Sequence, residues 1–510
     1  MNKSCWYLKP ESSTQIPNLA WVAFVPLKGG EIKITHGLFV EISDDWIVEG
    51  CWDAPYSEGN FHTSENFFGS GIRNTEDGVF FCSSMAMVDR LVYAKQQDQI
   101  IVSNSLVLLL SVTGAKLDLK HDYYEECYGL LKGVLKYPRE FRIIHPDIES
   151  FYQVFSSNLI LNGDGLNQVP RSQPRRIKNY EQYLSLISQT LTSIKENSIS
   201  HSRQYPMTIY STLSSGYDST AVTCLAKDIG MNTCFTTSPG STHKSKDLED
   251  GKRIADELNL SSVLLNPEDA SVSENEVFFL APTYEGCEVI FDRMTRYIED
   301  VGKPAIVMTG YHGDKIWDRS SKGKYLSDEI IRGDTSGINL SEIRLKAGFI
   351  NLAVPFLFSR SARDIIGIAD MSEMQPWQTN NDYDRPIPRR IADTHHIPGQ
   401  WFGQKKQAVL SYYSKPINRK LRKDFIAFLK NEVGITSMTL FLYEASETFD
   451  YLQGRVLVKL MPHKRLKEVP WSLRRFIFHK ELNFRLLMFI WACSYLQERM
   501  ELRDISYSKD

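Results

Sequence analysis

Residues 207–220, Met-Thr-Ile-Tyr-Ser-Thr-Leu-Ser-Ser-Gly-Tyr-Asp-Ser-Thr, hold the densest chemistry in the chain. A β-prone run ends in Leu213, Ser214, Ser215, Gly216, Tyr217, Asp218 and Ser219. A helical pattern then begins at Thr220, with Ala221, Val222, Leu225 and Ala226 as its apolar face. Small residues where a strand turns into a helix let backbone N–H groups approach an anion, and the helix N-terminus adds its positive dipole end. The hydroxyls of Ser214 and Ser219 are suited to donate to phosphate oxygens. Asp218 would repel a bare phosphate, so it makes sense there when it holds a cation. That combination describes a pyrophosphate loop with Mg²⁺. A plain helix cap is the competing reading, with Asp218 and Ser219 closing the first turn. A short motif does not decide between them, and the rest of the chain must.

The elements around the loop have to position it. Upstream, Asn179-Tyr180-Glu181-Gln182-Tyr183-Leu184 opens a helix-period pattern through Ile187, Leu191 and Ile194. Downstream, Thr233-Cys234-Phe235-Thr236-Thr237 reads as a short buried strand. Asp247, a helix through Ile254, Ala255 and Leu258, and a third strand at Val263-Leu264-Leu265 follow. Strands alternating with helices at this spacing predict a parallel, doubly wound α/β sheet. Ligands of such sheets bind at the carboxyl ends of the strands, where residues 214–219 fall. A further strand-like run, Ile306-Val307-Met308-Thr309, leads into Gly310-Tyr311-His312-Gly313-Asp314-Lys315.

In this order the segments resemble the PP-loop ATP pyrophosphatases, and their asparagine synthetase branch in particular, from about residue 175 to the C-terminus. Residues 214–219 match its Ser-Gly-Gly-x-Asp-Ser signature, with Ser215 at the first Gly. If that position needs a positive φ, the extra Cβ costs stability. The resemblance implies ATP as substrate, bound over Leu213, Ser214, Ser215, Gly216, Tyr217, Ser219, Thr237 and Gly310. Gly310 and Asp314 match the family's Ser-Gly-Glu-Gly-x-Asp-Glu element, which implies that Asp218 and Asp314 share Mg²⁺. Lys315 stands where that element ends in Glu, a residue serving the acceptor half of asparagine synthesis, and the reversal argues against asparagine as product. Val354-Pro355-Phe356-Leu357 resembles a further family segment, but Phe358 replaces its Asp and Leu352-Ala353 stand where an Arg usually precedes it. Lys406, eight residues past Pro398, matches a family Lys that meets phosphate oxygens, with Lys405 its neighbour. A solvated basic stretch through Lys415, Arg419, Lys420, Arg422 and Lys423 is the alternative there.

Residues 1–165 read differently. Trp21-Val22-Ala23-Phe24-Val25, Gly37-Leu38-Phe39-Val40-Glu41-Ile42 and Gly78-Val79-Phe80-Phe81-Cys82 are strand-like runs. Residues 88–93 and 100–105 read as two strands leading to a helix. In the resembled branch this region is a glutaminase with an α+β N-terminal-nucleophile sandwich, and the stretch resembles a decayed form. Such an enzyme needs Cys as its mature first residue, so that its own α-amine acts as base. Here Asn2 follows Met1 and Cys5 lies internally, so no glutaminase activity is expected. The same state is found in β-lactam-forming synthetases, whose acceptor amine comes from the substrate. Residues 166–178 read as a linker, and residues 179–510 as the ATP-binding domain.

A chain of 510 residues with 42% hydrophobic and 24% charged residues suits two or three globular domains. A net charge of −3 gives no general attraction to nucleic acid or to an acidic membrane. The eight cysteines form no Cys-x-x-Cys pair, which suits a reducing cytoplasm. The first ten residues hold no apolar signal core, and the apolar run from Leu486 to Leu496 is too short to span a bilayer, reading instead as a buried helix. His395-His396 suits a helix end better than a metal site, and Trp377, Trp401 and Trp471 are pocket or core candidates. The expected activity is AMP-forming amide ligation. ATP adenylates a carboxylate with Asp218, Asp314 and Lys406 at the chemistry, and an amine on a small molecule or peptide displaces AMP, in a lactam or macrolactam closure for instance. A partner protein could present that substrate. The rivals are a PP-loop enzyme activating a nucleobase or tRNA carbonyl, and a non-catalytic nucleotide-binding scaffold.

Overall fold

Strand-forming runs fill the first third of the chain, and their alternation of inward apolar and outward polar side chains is resolved by two packed sheets. A computed structural model describes residues 6–171, 174–237, 251–266, 273–284, 288–319, 330–332, 334–379, 383–401, 414–441 and 483–500. In it β1 (Trp6–Ser12), β2 (Trp21–Pro26), β3 (Gly30–His36), β8 (Leu91–Lys95), β9 (Gln99–Ser103), β10 (Glu140–Arg142) and β11 (Ser150–Val154) form one sheet, ordered β1-β3-β2-β9-β8-β11-β10. A second holds β4 (Glu41–Ile42), β5 (Trp46–Trp52), β6 (Phe67–Thr75), β7 (Gly78–Cys82), β12 (Ser157–Asn162) and β13 (Gly165–Pro170), ordered β13-β12-β7-β6-β5-β4. Apart from the parallel β1–β3 pair, neighbours are antiparallel. Ala23, Ile32 and Ile34 of the first sheet meet Ile47, Ile72, Phe81 and Leu159 of the second in one buried layer.

Two expectations change at this level. Residues 37–40 turn, leaving Glu41–Ile42 as the strand. Residues 166–170, read as linker, continue β13, which pairs with β12 along the sheet edge. The helix Phe484–Arg499 is buried as expected, between the two parts of the chain: Gln497 Nε2 donates to the carbonyls of Leu110 at 2.9 Å and Ala115 at 3.0 Å, and Cys493 Sγ donates to the carbonyl of Ala281 at 3.3 Å.

The third sheet is entirely parallel. It comprises β14 (Thr208–Leu213), β15 (Thr233–Thr237), β16 (Ser261–Leu265), β17 (Ala305–Thr309) and β18 (Phe349–Ala353), ordered β16-β15-β14-β17-β18. The chain thus steps outward from β14, returns, and steps outward the other way from β17. The reversal lies between β14 and β17, the place where doubly wound sheets open a crevice at their carboxyl edge. β17 and β18 are buried along their whole length, as strands covered on both faces must be. The helix Tyr180–Ser198 precedes β14, its first turn capped by the Asn179 side chain accepting from Gln182 N at 2.9 Å.

The sandwich and the parallel sheet are joined by buried charge. Arg344, on the helix Leu340–Ala347 that feeds β18, reaches into the sandwich. Its Nη1 and Nη2 lie 2.8 and 3.0 Å from the two Glu49 oxygens, and its Nε lies 2.6 Å from Asp89 Oδ1. Burial opposes the charge on Arg344, but Asp89 and Glu49 outweigh it and hold the guanidinium protonated above its ordinary range. Two residues earlier, Glu342 accepts Leu106 N at 2.9 Å and Ser105 Oγ at 2.6 Å. Among the described residues no helix is long and apolar enough to cross a membrane.

Candidate active site

A cleft of about 250 Å³ opens at the β14–β17 reversal. Leu213 enters it from the end of β14, Ser214, Gly216, Asp218 and Ser219 from the turn and helix that follow, Thr237 from the end of β15, and Gly310 and Asp314 after β17. The structure therefore brings eight of the eleven expected site residues to one place. Ser215 and Tyr217 are buried and do not line it: Tyr217 stacks on Tyr383 at 4.9 Å between centroids, and its hydroxyl accepts from Arg389 Nη1 at 3.0 Å. Lys406, with Lys405 and Asp247, lies outside the described residues.

The loop after β14 is tied to itself. Ser214 Oγ and Ser219 Oγ are 2.7 Å apart, Ser219 Oγ accepts from Ser214 N at 3.1 Å, and Ser214 Oγ accepts from Gly216 N at 3.2 Å. The helix starts at Tyr217, three residues before the expected Thr220, because extended Gly216 (φ −74°, ψ 147°) is its cap residue. No side chain caps it by hydrogen bonding, so Asp218 and Ser219 are not the caps that the competing reading made them. Ser215 is absent from the residues with positive φ, so a Cβ is accommodated there without left-handed strain.

The two loops touch through glycine. A Cβ built on Gly313 would lie 2.5 Å from Asp218 Cγ and 2.8 Å from Asp218 Cβ. One on Gly310 would lie 3.0 Å from Ser219 N. The Gly-x-x-Gly spacing thus sets the approach of the second loop to Asp218. Gly313→Ala is expected to cost about 1–3 kcal/mol of folding stability by forcing the loops apart. Gly367→Ala, in a helix where nothing lies within 4 Å of the new methyl, is expected to gain a few tenths to about 1 kcal/mol. Urea titration of both variants checks the contrast.

Sequence reasoning missed several cleft residues. Arg385 pairs with the Asp218 carboxylate, lies over the Tyr383 ring at 4.5 Å and has its Nε 3.6 Å from Asp318. Its side chain is only 2% exposed. Burial works against its charge, but Asp218, Tyr383 and Asp314 outweigh that and raise it above its ordinary range. Asp314 pairs with Lys315, so the residue that reverses the expected acidic position neutralises its neighbour. His312 (φ +74°) stacks on Phe356 at 4.5 Å, and burial, helped by Arg332, lowers its imidazole to about 3. It is neutral at any physiological pH. Glu288 and Asp334 add two more carboxylates to the lining. The one sequence signal for Arg385 was its place before Pro386-Ile387-Pro388, where proline starts the helix Pro386–Thr394.

That helix is clasped to Tyr217–Asp228 at both ends. Opposite the Arg385–Asp218 pair, His395 caps the helix and sets its Nε2 2.9 Å from Asp228 Oδ1 and its Nδ1 2.9 Å from the Ile391 carbonyl. The bond to Asp228, then that to Cys224, raises the imidazole to about 10 and keeps it protonated at neutral pH. His395 is therefore the helix-end residue expected of it. Cys51, Cys82, Cys127, Cys224, Cys234 and Cys493 are free and buried, and among the described residues no three His, Cys, Asp or Glu side chains group as a metal site.

No family model matches the chain, and no curated protein matches it. A solved structure described as the allosteric regulatory enzyme of purine biosynthesis is similar at 11% identity, over 64% of this chain. The matched part spans 66% of that protein's chain, just under two thirds, and the TM-score of 0.14 carries no argument about fold or function.

Proposed function

We propose that the chain is an ATP-dependent, AMP- and pyrophosphate-forming amide ligase of the PP-loop kind, with a sandwich that resembles a decayed N-terminal-nucleophile glutaminase. One observation carries the reading: the loops after β14 and β17 flank the sheet's reversal point and bring paired hydroxyls and two carboxylates into one cleft, to which Arg385, just before the helix Pro386–Thr394, adds a buried guanidinium. Ser214 and Ser219 exchange their mutual hydrogen bond for phosphate oxygens. Arg385 has the planar fork that suits phosphate. Lys406 is proposed to join them at the departing pyrophosphate.

Asp218 and Asp314 are the hard oxygen donors that Mg²⁺ takes through one or two carboxylates plus phosphate oxygens, so the donor set fits. When bound, that ion neutralises phosphate charge. Arg385 and Lys315, which pair with those carboxylates here, would be freed toward phosphate oxygens. A substrate carboxylate oxygen attacks the α-phosphorus, the bond to pyrophosphate breaks, and an acyl-adenylate remains. An amine then forms the C–N bond as AMP leaves. A small molecule or peptide bearing both groups is the expected substrate.

The same two ion pairs favour a second reading, a nucleotide-binding scaffold whose acidic positions are permanently neutralised. Exchange of labelled pyrophosphate into ATP, with purified protein, Mg²⁺ and a pool of cytosolic metabolites and peptides, separates the two. Pool-dependent exchange with AMP as product supports the ligase. ATP binding by calorimetry without exchange supports the scaffold, and no ATP binding removes both.

A further inference from the structure

Among the described residues five non-glycine side chains sit on a backbone with positive φ, and of these His312 (φ +74°) alone lines the cleft. Glycine would take that backbone without strain. Strain of this kind persists where the surroundings enforce it, most often beside a ligand. Here Lys315 N and Ile316 N donate to the His312 carbonyl at 3.0 and 3.2 Å, and the ring stacks on Phe356 at 4.5 Å with the planes 13° apart. Phe356 comes from the turn Val354–Phe356 that follows β18. His312 is 6% exposed, and among the described residues no hydrogen bond reaches its ring nitrogens. The cations around it are engaged: Lys315 with Asp314, Arg385 with Asp218, and Arg332 with the carbonyls of Met87 at 2.6 Å and of Ser336.

We propose that the ring N–H of His312 is a catalytic donor that binds the carbonyl oxygen of the acyl group and holds the negative charge this oxygen gains when the amine attacks. The inference rests on the ligase reading above. An acyl group joined to a phosphate over residues 214–219 lies beside the loop after β17, which carries His312. The amine lone pair forms the C–N bond, and the carbonyl π electrons move onto oxygen. They return as the C–O bond to phosphate breaks with its electrons on AMP, and the surplus amine proton passes to water. The imidazole neither gains nor loses a proton, and no oxidant or reductant enters this balance. Stacking on Phe356 fixes the plane of the ring, so the donor is aimed before the charge develops, which is the arrangement that makes such a contact catalytic.

The test compares three variants of the full chain with wild type in two readouts on the same pool of metabolites and peptides: pyrophosphate–ATP exchange and net AMP release. His312→Gly removes the ring and the strain together. His312→Phe keeps a ring on Phe356 without the N–H, and His312→Asn keeps a donor on a residue that tolerates positive φ. Thermal melting checks that each variant folds. The ratio of AMP release to exchange is expected to fall about 100-fold or more in His312→Gly and His312→Phe, and His312→Asn is expected to recover about ten-fold of that loss. A wild-type ratio in His312→Phe would make the stack, not the donor, the purpose of the strained residue, and overturns the proposal. An unchanged ratio in His312→Gly, or exchange lost in step with AMP release in all three variants, overturns it too; each of these outcomes leaves the ligase reading standing. Absence of exchange in wild type removes the ligase reading, and this inference with it.

Discussion

Arg344→Ala is expected to cost about 3–5 kcal/mol, because it strands two carboxylates that water cannot reach. Glu49 is 0% and Asp89 4% exposed in this contact. Glu49 is further committed, accepting Ser70 Oγ at 2.6 Å and Asn104 Nδ2 at 3.2 Å, so it cannot turn toward solvent. At about 1 °C per kcal/mol for 510 residues unfolding together, the melting midpoint should drop by roughly 3–5 °C. A double-mutant cycle makes the claim specific. Glu49→Gln combined with Arg344→Met should cost less than the sum of the single changes, since removing both charges removes the stranding. Additive losses would show that Arg344 serves as packing, not as the buried tie between sandwich and sheet.

That tie was invisible in the sequence for a physical reason. Glu342 and Arg344 stand two apart on a helix, a pattern that reads as a solvated face, and only the distant Glu49, Asp89 and Ser105 make their burial tolerable. Four of the five parallel strands were legible as short β-prone runs next to helix patterns, whereas β18 (Phe349–Ala353) was not read as a strand. Ser214, Asp218, Gly310 and Asp314 were legible because one strand end carries each pair. Arg385 and Glu288 reach the cleft from 167 residues after Asp218 and from a segment before β17. No local pattern marks such residues, since their role is created by the sheet's reversal. The misplaced helix start has a similar cause. Tyr217 looked like loop, but its ring is buried against Tyr383, a residue fixed by tertiary packing.

The second large effect concerns Asp218, and the choice of substitution decides what is learned. Asp218→Ala would leave Arg385, 2% exposed, with a buried charge that Asp318 at 3.6 Å only partly answers. Part of any lost activity would then be lost folding, of up to about 3–5 kcal/mol. Asp218→Asn keeps an oxygen to accept from Arg385 while removing the negative charge that the proposed metal requires. It is expected to melt within a few degrees of wild type and to lose pool-dependent exchange by about 100-fold or more. Asp218→Ala paired with Arg385→Ala should recover much of the stability that Asp218→Ala loses, yet recover no exchange. The two properties separate because the ion pair is mutual for folding, whereas the proposed chemistry needs each partner for a different ligand group. Exchange at the wild-type rate in Asp218→Asn would mean that the carboxylate holds Arg385 in place and nothing more, and the proposed pyrophosphate site would have to move.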